Sequence, residues 1–310
     1  WSSDVCSSDL FVSDQIKGLC FALLAMFGGG LYAIPYRLSL DTVAPLPVIW
    51  GVFLWAFLFS LPGAWFARHQ NKFSWKIAGI TLATSLAGLL GNYAICQALS
   101  QASPTLLILV TRIEIIIAML LSWMFLKEFV SIRVWMAVIV IIAGIIVMKM
   151  DSLSFELKNW SSFLWAVTAA FSFASMQVMA KSIIHEINPQ VLNVSRLAVA
   201  LVMLWSLAEV RSGVADLQSS EWKWLALAAF CGPFMGRVSY TYALRYLTVS
   251  KAVIIGSFSP ATTLMFEFLV FGSLISSFEA LGGTIMLAGI LWVFLPGLSR
   301  NGNASEIKIK

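Results

Sequence analysis

The stretch "LLILVTRIEIIIAMLLSW", residues 106–123, is an almost continuous apolar run that carries Arg112 and Glu114 near its middle. A transmembrane helix needs about 20 mostly apolar residues, and this run with its flanks is long enough. Ionisable side chains inside a span are costly and are expected to face a bundle interior or a water-filled cavity. The stretch therefore predicts a multi-helix membrane protein with polar groups at its centre.

The composition of the whole chain agrees with this expectation. Its 310 residues are 60% hydrophobic and only 11% charged, with a mean hydropathy of +0.88. A soluble domain of this size carries about 25% charged residues. We therefore predict an all-α integral membrane protein in a lipid bilayer. The formal net charge of +5 is attributed to cytoplasmic loops, where Lys and Arg concentrate, and not to nucleic acid binding.

Several features argue against an enzyme or a metalloprotein. The four cysteines form no CxxC pair, the chain has two histidines, and it contains no HExxH, GxSxG or GxxxxGK[ST] motif. We expect no cofactor, no metal and no catalytic residue, so the energy for any transport would come from a gradient. Residues 1–13, "WSSDVCSSDLFVS", differ from the rest and are expected to be a disordered or non-native tail.

Ten apolar runs have the length of a membrane span. They are residues 16–36, 46–67, 75–99, 103–126, 131–149, 160–181, 189–210, 222–247, 250–272 and 278–296. With a cytoplasmic N-terminus, most loop Lys and Arg residues fall on the inner side. The outer loops then carry only Arg37, Lys149, Lys158, Arg211 and Lys223. This bias predicts a multi-pass protein of the cytoplasmic (inner) membrane with both termini in the cytoplasm.

The chain also repeats itself at an offset of 145 residues. Ala143–Gly144 coincides with Ala288–Gly289, and Gly91 with Gly236. Each half then holds five spans, and an odd number of spans inverts the second half relative to the first. Inverted repeats are typical of secondary transporters, whose substrate site lies near the midplane between the halves.

Particular motifs resemble a known family. The segment 102–147, with "FLKE" at its centre and Glu128 closing the fourth span, resembles EamA-type transporters of the drug/metabolite transporter superfamily. Ser259–Pro260 in the ninth span and "FGGGLYAIPY" (27–36) in the first are similar to the family's patterns. The resemblance implies ten helices in two inverted five-helix repeats, residues 14–150 and 151–298, followed by a cytoplasmic tail, residues 299–310. It also implies alternating-access transport of a small molecule, often export.

Two matching polar stripes are candidate cavity linings, because residues three or four apart share one face of a helix. They are Thr111, Glu114, Ala118 and Ser122 in the fourth span, and Gly256, Ser259, Thr263 and Glu267 in the ninth. The alternative is helix packing through small residues, with each glutamate bonded to a neighbouring hydroxyl or arginine.

Two further pairs lie 145 residues apart. Asn92 corresponds to Arg237, and Tyr32 corresponds to Gln177. A guanidinium offers a planar fork for a substrate carboxylate, so Arg237 is a candidate anion ligand; a fixed ion pair to Glu114 or Glu267 is the alternative. Tyr32 and Gln177 are candidate wall residues. The predicted substrate-binding set is Glu114, Arg237, Asn92, Tyr32, Gln177, Ser259, Thr111 and Glu267.

Arg112 lies about 200° around the helix from Glu114, given about 100° per residue, so we expect it to bridge helices while Glu114 faces the cavity. The leading hypothesis is a secondary transporter of a small polar metabolite, amino-acid-like or an organic anion, moved outward. Alternatives are an uptake carrier or a channel-like permease for another solute such as a nucleobase or drug. Proton or exchange coupling and a homodimer remain open.

Overall fold

The structure is a computed structural model that describes residues 3–40, 44–68, 74–99, 110–148, 150, 160–272 and 276–299. These residues form helices, and none of them is assigned to a β-strand. The helices are α1 Ser3–Leu40, α2 Pro45–Ala67, α3 Trp75–Leu99, α4 Ile113–Leu126, α5 Ile132–Met148, α6 Trp160–Ile183, α7 Pro189–Trp205, α8 Ala208–Ala215 and α9 Ser219–Ala229. A π-helical segment, Phe230–Gly236, follows, and then α10 Arg237–Tyr246, α11 Val249–Gly256, α12 Ser259–Phe271 and α13 Ser277–Ser299.

The described helices include several that can cross a bilayer. Five segments are long and apolar enough, and a sixth qualifies if α7 and α8 count as one bent span. The five are Asp14–Tyr36, Pro45–Ala67, Trp75–Ile95, Trp160–Ile183 and Val249–Phe266. Shorter apolar helices cover Ile113–Leu126, Ile132–Met148 and Ser277–Val293. The chain is thus an all-helical membrane protein.

The seventh, eighth and ninth predicted spans are interrupted, and the ninth, 250–272, divides at Ser257–Phe258 between α11 and α12. The seventh, 189–210, ends at Trp205, where Leu207 is extended and α8 turns away by 94°. The Ser206 hydroxyl donates to the Met203 carbonyl at 2.6 Å and occupies one of the last carbonyls of α7. The eighth, 222–247, contains the π-helical segment around Pro233, because proline lacks an N–H and cannot continue the α-helical ladder.

At the N-terminus, α1 begins at Ser3, so residues 3–13 have helical backbone. The sequence predicts a disordered or non-native tail there. Extending an existing helix by one residue is far less costly than nucleating it, so an apolar span can carry its helical backbone into flanking Ser and Asp residues.

The helices pack in two groups, and each group combines helices from both repeats. In one group α6 packs on α3 and α4, and in the other α1 packs on the π-helical segment, α10 and α12. The first helix of each repeat therefore lies against the third and fourth spans of the opposite repeat. Gly28 permits the α1 crossing: a methyl group there would lie 2.6 Å from the Cys231 carbonyl oxygen and 2.9 Å from Gly236 Cα.

The 145-residue offset is visible in the contact between α5 and α13. A methyl group on Gly144 would lie 2.7 Å from Met286 Cγ, and one on Gly289 would lie 3.0 Å from Ile141 Cγ1. An offset of 145 residues relates Gly144 to Gly289 and Ile141 to Met286, so the two contacts are equivalent under the repeat. This reciprocity is what an inverted repeat requires of two helices that face each other across its axis.

Gly282→Ala should therefore destabilise the protein by about 1–3 kcal/mol, because its added methyl group would collide with the backbone of Gly144 and Met148. Gly79→Ala is the matched control, since nothing lies within 4 Å of a methyl group there. In a helix interior that change stabilises by about 0.5–1 kcal/mol. Thermal unfolding of the two purified variants tests the difference, and equal melting temperatures would contradict the close packing of α5 on α13.

Candidate functional site

A small cavity lies among α3, α6, α7 and α10, between residues of both repeats. Its free volume is about 20 Å3, roughly the space of one water molecule. Its lining consists of Thr84, Met176, Gln177, Ala180, Leu192, Asn193, Arg196, Arg237, Tyr240, Thr241 and Leu244. A larger solute enters such a cavity only when these helices move apart.

Glu114 joins this cavity through a chain of hydrogen bonds. The Gln177 amide nitrogen donates to a Glu114 carboxylate oxygen, and the Tyr240 hydroxyl donates to the Gln177 amide oxygen at 2.7 Å. Glu114 belongs to the first repeat, whereas Gln177 and Tyr240 belong to the second. Gln177 is on the cavity wall, and Glu114 stands directly behind it.

Arg237 is the predicted anion ligand, and it lines the cavity. The π-helical segment ends immediately before it, so the wide turn around Pro233 sets the direction from which α10 enters the site. Its guanidinium interacts electrostatically with Glu114 and with the hydroxyls of Tyr240 and Tyr32. Among the described residues we find no side-chain hydrogen bond that uses this guanidinium.

A second arginine, Arg196, lines the cavity beside Asn193, one turn away on α7. It donates to the Asn193 amide oxygen at 2.9 Å and to the Met176 sulfur at 3.1 Å. The Asn193 amide nitrogen in turn donates to the Ser60 hydroxyl at 3.0 Å and to the Pro233 carbonyl at 3.1 Å. These bonds tie α7 to α2 and to the π-helical segment.

Three other predicted site residues, Asn92, Ser259 and Thr111, do not line the cavity. The Asn92 amide donates to the Gly88 carbonyl of its own helix at 2.7 Å. Ser259 is packed against Gly29 of α1, and its carbonyl accepts from the hydroxyls of Thr262 and Thr263. Thr111 precedes α4 and is partly buried. Glu267 lies in α12, and its side chain is outside what the structure describes.

Tyr32 and Arg112 both interact with the charged groups beside the cavity. Tyr32 stacks on Tyr36 with ring centroids 4.8 Å apart, packs against Gly232 and interacts with Arg237. Arg112 occupies the N-cap position of α4 without a side-chain capping hydrogen bond, and it interacts electrostatically with Glu114. Its buried Nε has no hydrogen-bond partner among the described residues, and the bridge between helices that we expect from Arg112 stays a prediction.

Three polar residues that line the cavity were not predicted from the sequence: Asn193, Thr84 and Arg196. The available signal for two of them was the pair Asn193 and Arg196, which lie three positions apart in an apolar run and therefore share one helix face. No sequence signal marked Thr84. Threonine hydroxyls in membrane helices often bond to a carbonyl of their own helix, as Thr84 does to the Thr81 carbonyl at 2.8 Å.

A second polar cluster lies at the end of the bundle that loop charges predict to be cytoplasmic. One oxygen of Glu128 accepts from the Ser122 hydroxyl at 2.5 Å and from the Val249 backbone N–H at 3.0 Å. Lys181 lies 3.9 Å from the other oxygen and donates to the Leu247 carbonyl at 2.8 Å. Glu128 of the first repeat thus caps α11 of the second.

Arg245 holds the adjoining loop. Its guanidinium donates to the carbonyls of Ile184 at 3.2 Å and Ile187 at 3.0 Å, just after α6. Burial, together with the Lys181 and Arg245 cations, lowers the pKa of His185 in that loop below its usual value. The two carbonyl bonds of Arg245 indicate a structural function for this residue.

Comparison with known proteins gives a consistent result. The sequence profile of the EamA-like transporter family matches residues 16–150 and again residues 160–295. A probable transport protein of Saccharomyces cerevisiae is 38% identical over 74 residues, which cover 24% of this chain and 21% of that protein. An uncharacterized membrane protein of the same yeast is 35% identical over 74 residues, 24% of this chain and 18% of that protein. These matches span about a fifth of each yeast relative.

A solved crystal structure has the same overall fold. It superposes with a TM-score of 0.70 over 93% of this chain and 99% of the other, at 18% sequence identity. A likeness at this identity shows a shared helical architecture across both repeats.

Proposed function

The chain belongs to the EamA-like transporter family, and on this premise we propose that it is a secondary active transporter of a small polar metabolite. The substrate is amino-acid-like or an organic anion, and it is exported across the cytoplasmic membrane by alternating access. The helices form ten spans in two inverted five-helix repeats, residues 14–150 and 151–298, with both termini in the cytoplasm.

The observation that carries this proposal is the hydrogen-bonded chain from Glu114 through Gln177 to Tyr240, beside a cavity walled by both repeats. Burying a glutamate within a membrane protein costs free energy, so its presence there favours a function in binding or proton transfer. Glu114 lies where the two repeats meet, and secondary transporters with inverted repeats bind their substrates at that interface.

The matching of the family profile to two consecutive segments supports the inverted topology. Each segment holds five of the ten predicted runs, and an odd number of spans turns the second segment over. The reciprocal contacts of Gly144 and Gly289 also support it. The family match, together with a sequence that contains no GxxxxGK[ST] motif, supports transport driven by a gradient.

Reporter fusions test the topology. A fusion at residue 155, between the repeats, should report an external location, and a fusion after Lys310 should report a cytoplasmic one. Alkaline phosphatase and green fluorescent protein activities provide the two readouts. Both fusions on the same side would overturn the inverted arrangement.

Flux into proteoliposomes tests transport itself. Purified protein is reconstituted, and uptake of labelled amino acids and organic acids is measured with and without an imposed proton gradient. We expect saturable flux that the gradient accelerates. Flux that rises linearly with solute concentration would indicate a channel-like permease, and no flux for any solute would remove the proposed function.

A further inference from the structure

We infer that Arg196 and Arg237 together form an oxyanion-binding site, so that the transported solute is an organic anion bound through its carboxylate or phosphate. This inference rests on the proposed function and narrows its substrate class. The two side chains are on different helices, α7 and α10, and both line the same cavity.

The first argument is that the other polar side chains of the cavity already have partners. Thr84 and Thr241 donate to carbonyls of their own helices at 2.8 Å. Gln177 accepts from Tyr240 and donates to Glu114. What remains is the Arg237 guanidinium, for which the described residues provide no hydrogen-bond acceptor. A group that satisfies it must accept hydrogen bonds.

The second argument is charge. Arg196 is bonded only to neutral groups, Asn193 and Met176, and the charge that acts on it is the like charge of Arg237. Around the cavity, the cations Arg112, Arg196 and Arg237 face the carboxylate of Glu114, while Glu128, which also acts on Tyr240, is paired with Lys181. Buried charges are stable only when they are paired, so an anion is required to complete the site.

The third argument separates an organic anion from an amino acid. The ammonium group of an amino acid needs a carboxylate or carbonyl partner. Glu114 is behind Gln177, receives its amide and interacts with two arginines, and the Asn193 oxygen accepts from Arg196. A carboxylate or a phosphate presents two oxygens to the guanidinium fork and needs no ammonium partner.

Matched ligands test the inference on the purified, full-length protein in detergent at constant ionic strength. The melting temperature is measured with propionate, methyl phosphate, propionamide and propylammonium. We expect propionate or methyl phosphate to raise it and the neutral and cationic analogues to leave it unchanged. Whichever of the two anions acts identifies the oxyanion as carboxylate or phosphate.

Variants then locate the site. Arg196→Gln and Arg237→Gln should abolish the anion-induced shift, whereas Arg237→Lys should keep part of it. Arg245→Gln is the control, because its guanidinium bonds two backbone carbonyls outside the cavity. It should lower the melting temperature of the ligand-free protein and retain the shift. Arg196→Gln also loses its hydrogen bond to Asn193, so the anion-induced shift of each variant is measured from its own ligand-free melting temperature.

An equal shift with propionamide, or an undiminished anion shift in Arg237→Gln, would overturn the inference. Proteoliposome flux separates it from the proposed function. If neutral or cationic solutes are transported and no anion shifts the melting temperature, the oxyanion-binding site is overturned while the proposed transport function stands. An anion-induced shift of the melting temperature that requires both arginines supports the oxyanion-binding site even if flux is absent. In that case only the transport proposal fails.

Discussion

Glu114→Gln is expected to abolish the pH dependence of transport and to reduce the maximal rate at least about 100-fold, the scale of a lost charge interaction of 2.7 kcal/mol or more. In the wild type, Glu114 interacts with Arg237, which the substrate also needs. We propose that a proton on Glu114 removes its charge and frees Arg237 for the substrate, which would link proton binding to substrate binding. Glutamine cannot change its charge, and an amide still bonds to Gln177.

The diagnostic feature is the division between binding and rate. With no carboxylate competing for Arg237, the variant should bind anions at least as tightly as the wild type while it transports them slowly. Anion-induced thermal shifts and proteoliposome flux, measured from pH 5 to 8, give the two quantities. Glu186→Gln is the control, since Glu186 forms an exposed ion pair with Lys76 at 3.5 Å. Wild-type flux and pH profile in Glu114→Gln would make this glutamate structural.

Much of the fold follows from the sequence because its signals are local or periodic. Long apolar runs predict helices, and the 145-residue offset predicted that α5 and α13 are equivalent. The breaks were not predictable in this way. The turn at Ser206–Leu207 and the π-helical segment depend on how α7 and α9 pack on α2 and α1, and hydropathy contains no information about that packing.

The site illustrates a different limit. A polar residue in an apolar run signals that its side chain needs a partner, but not where the partner is. Asn92 is satisfied within its own helix, whereas Gln177 reaches across to Glu114. Both looked alike in the sequence. Arg237 and Gln177 line the cavity, and Glu114 lies one hydrogen bond away from it.

Glu128 had been identified only as the residue that closes the fourth span. Its function as a cap for α11 could not be predicted, because the two residues that meet, Glu128 and Val249, are 121 positions apart in the chain. No local pattern links them. The αL conformation of Lys127, with φ of 55°, ends α4 and turns Glu128 toward the second repeat.

Glu128→Ala is expected to lower the free energy of unfolding by about 3–5 kcal/mol, the cost of breaking a buried ion pair. The side chains of Lys181 and Glu128 are only 15% and 13% exposed, so water can replace little of what is lost. The Ser122 hydroxyl and the Val249 N–H would also lose their acceptor. Glu186→Gln, in an exposed pair, should cost no more than about 1 kcal/mol.

A double-mutant cycle with Lys181→Met identifies the cause of this loss. If Lys181 is destabilising once its carboxylate is gone, the double variant should be more stable than the sum of the single effects predicts, by about 0.5–3 kcal/mol. Glu128→Gln should be milder than Glu128→Ala, because the amide oxygen still accepts from Val249. Unfolding of each purified protein provides the measurement. Strict additivity would mean that Glu128 acts as a cap alone, independently of the lysine 3.9 Å away.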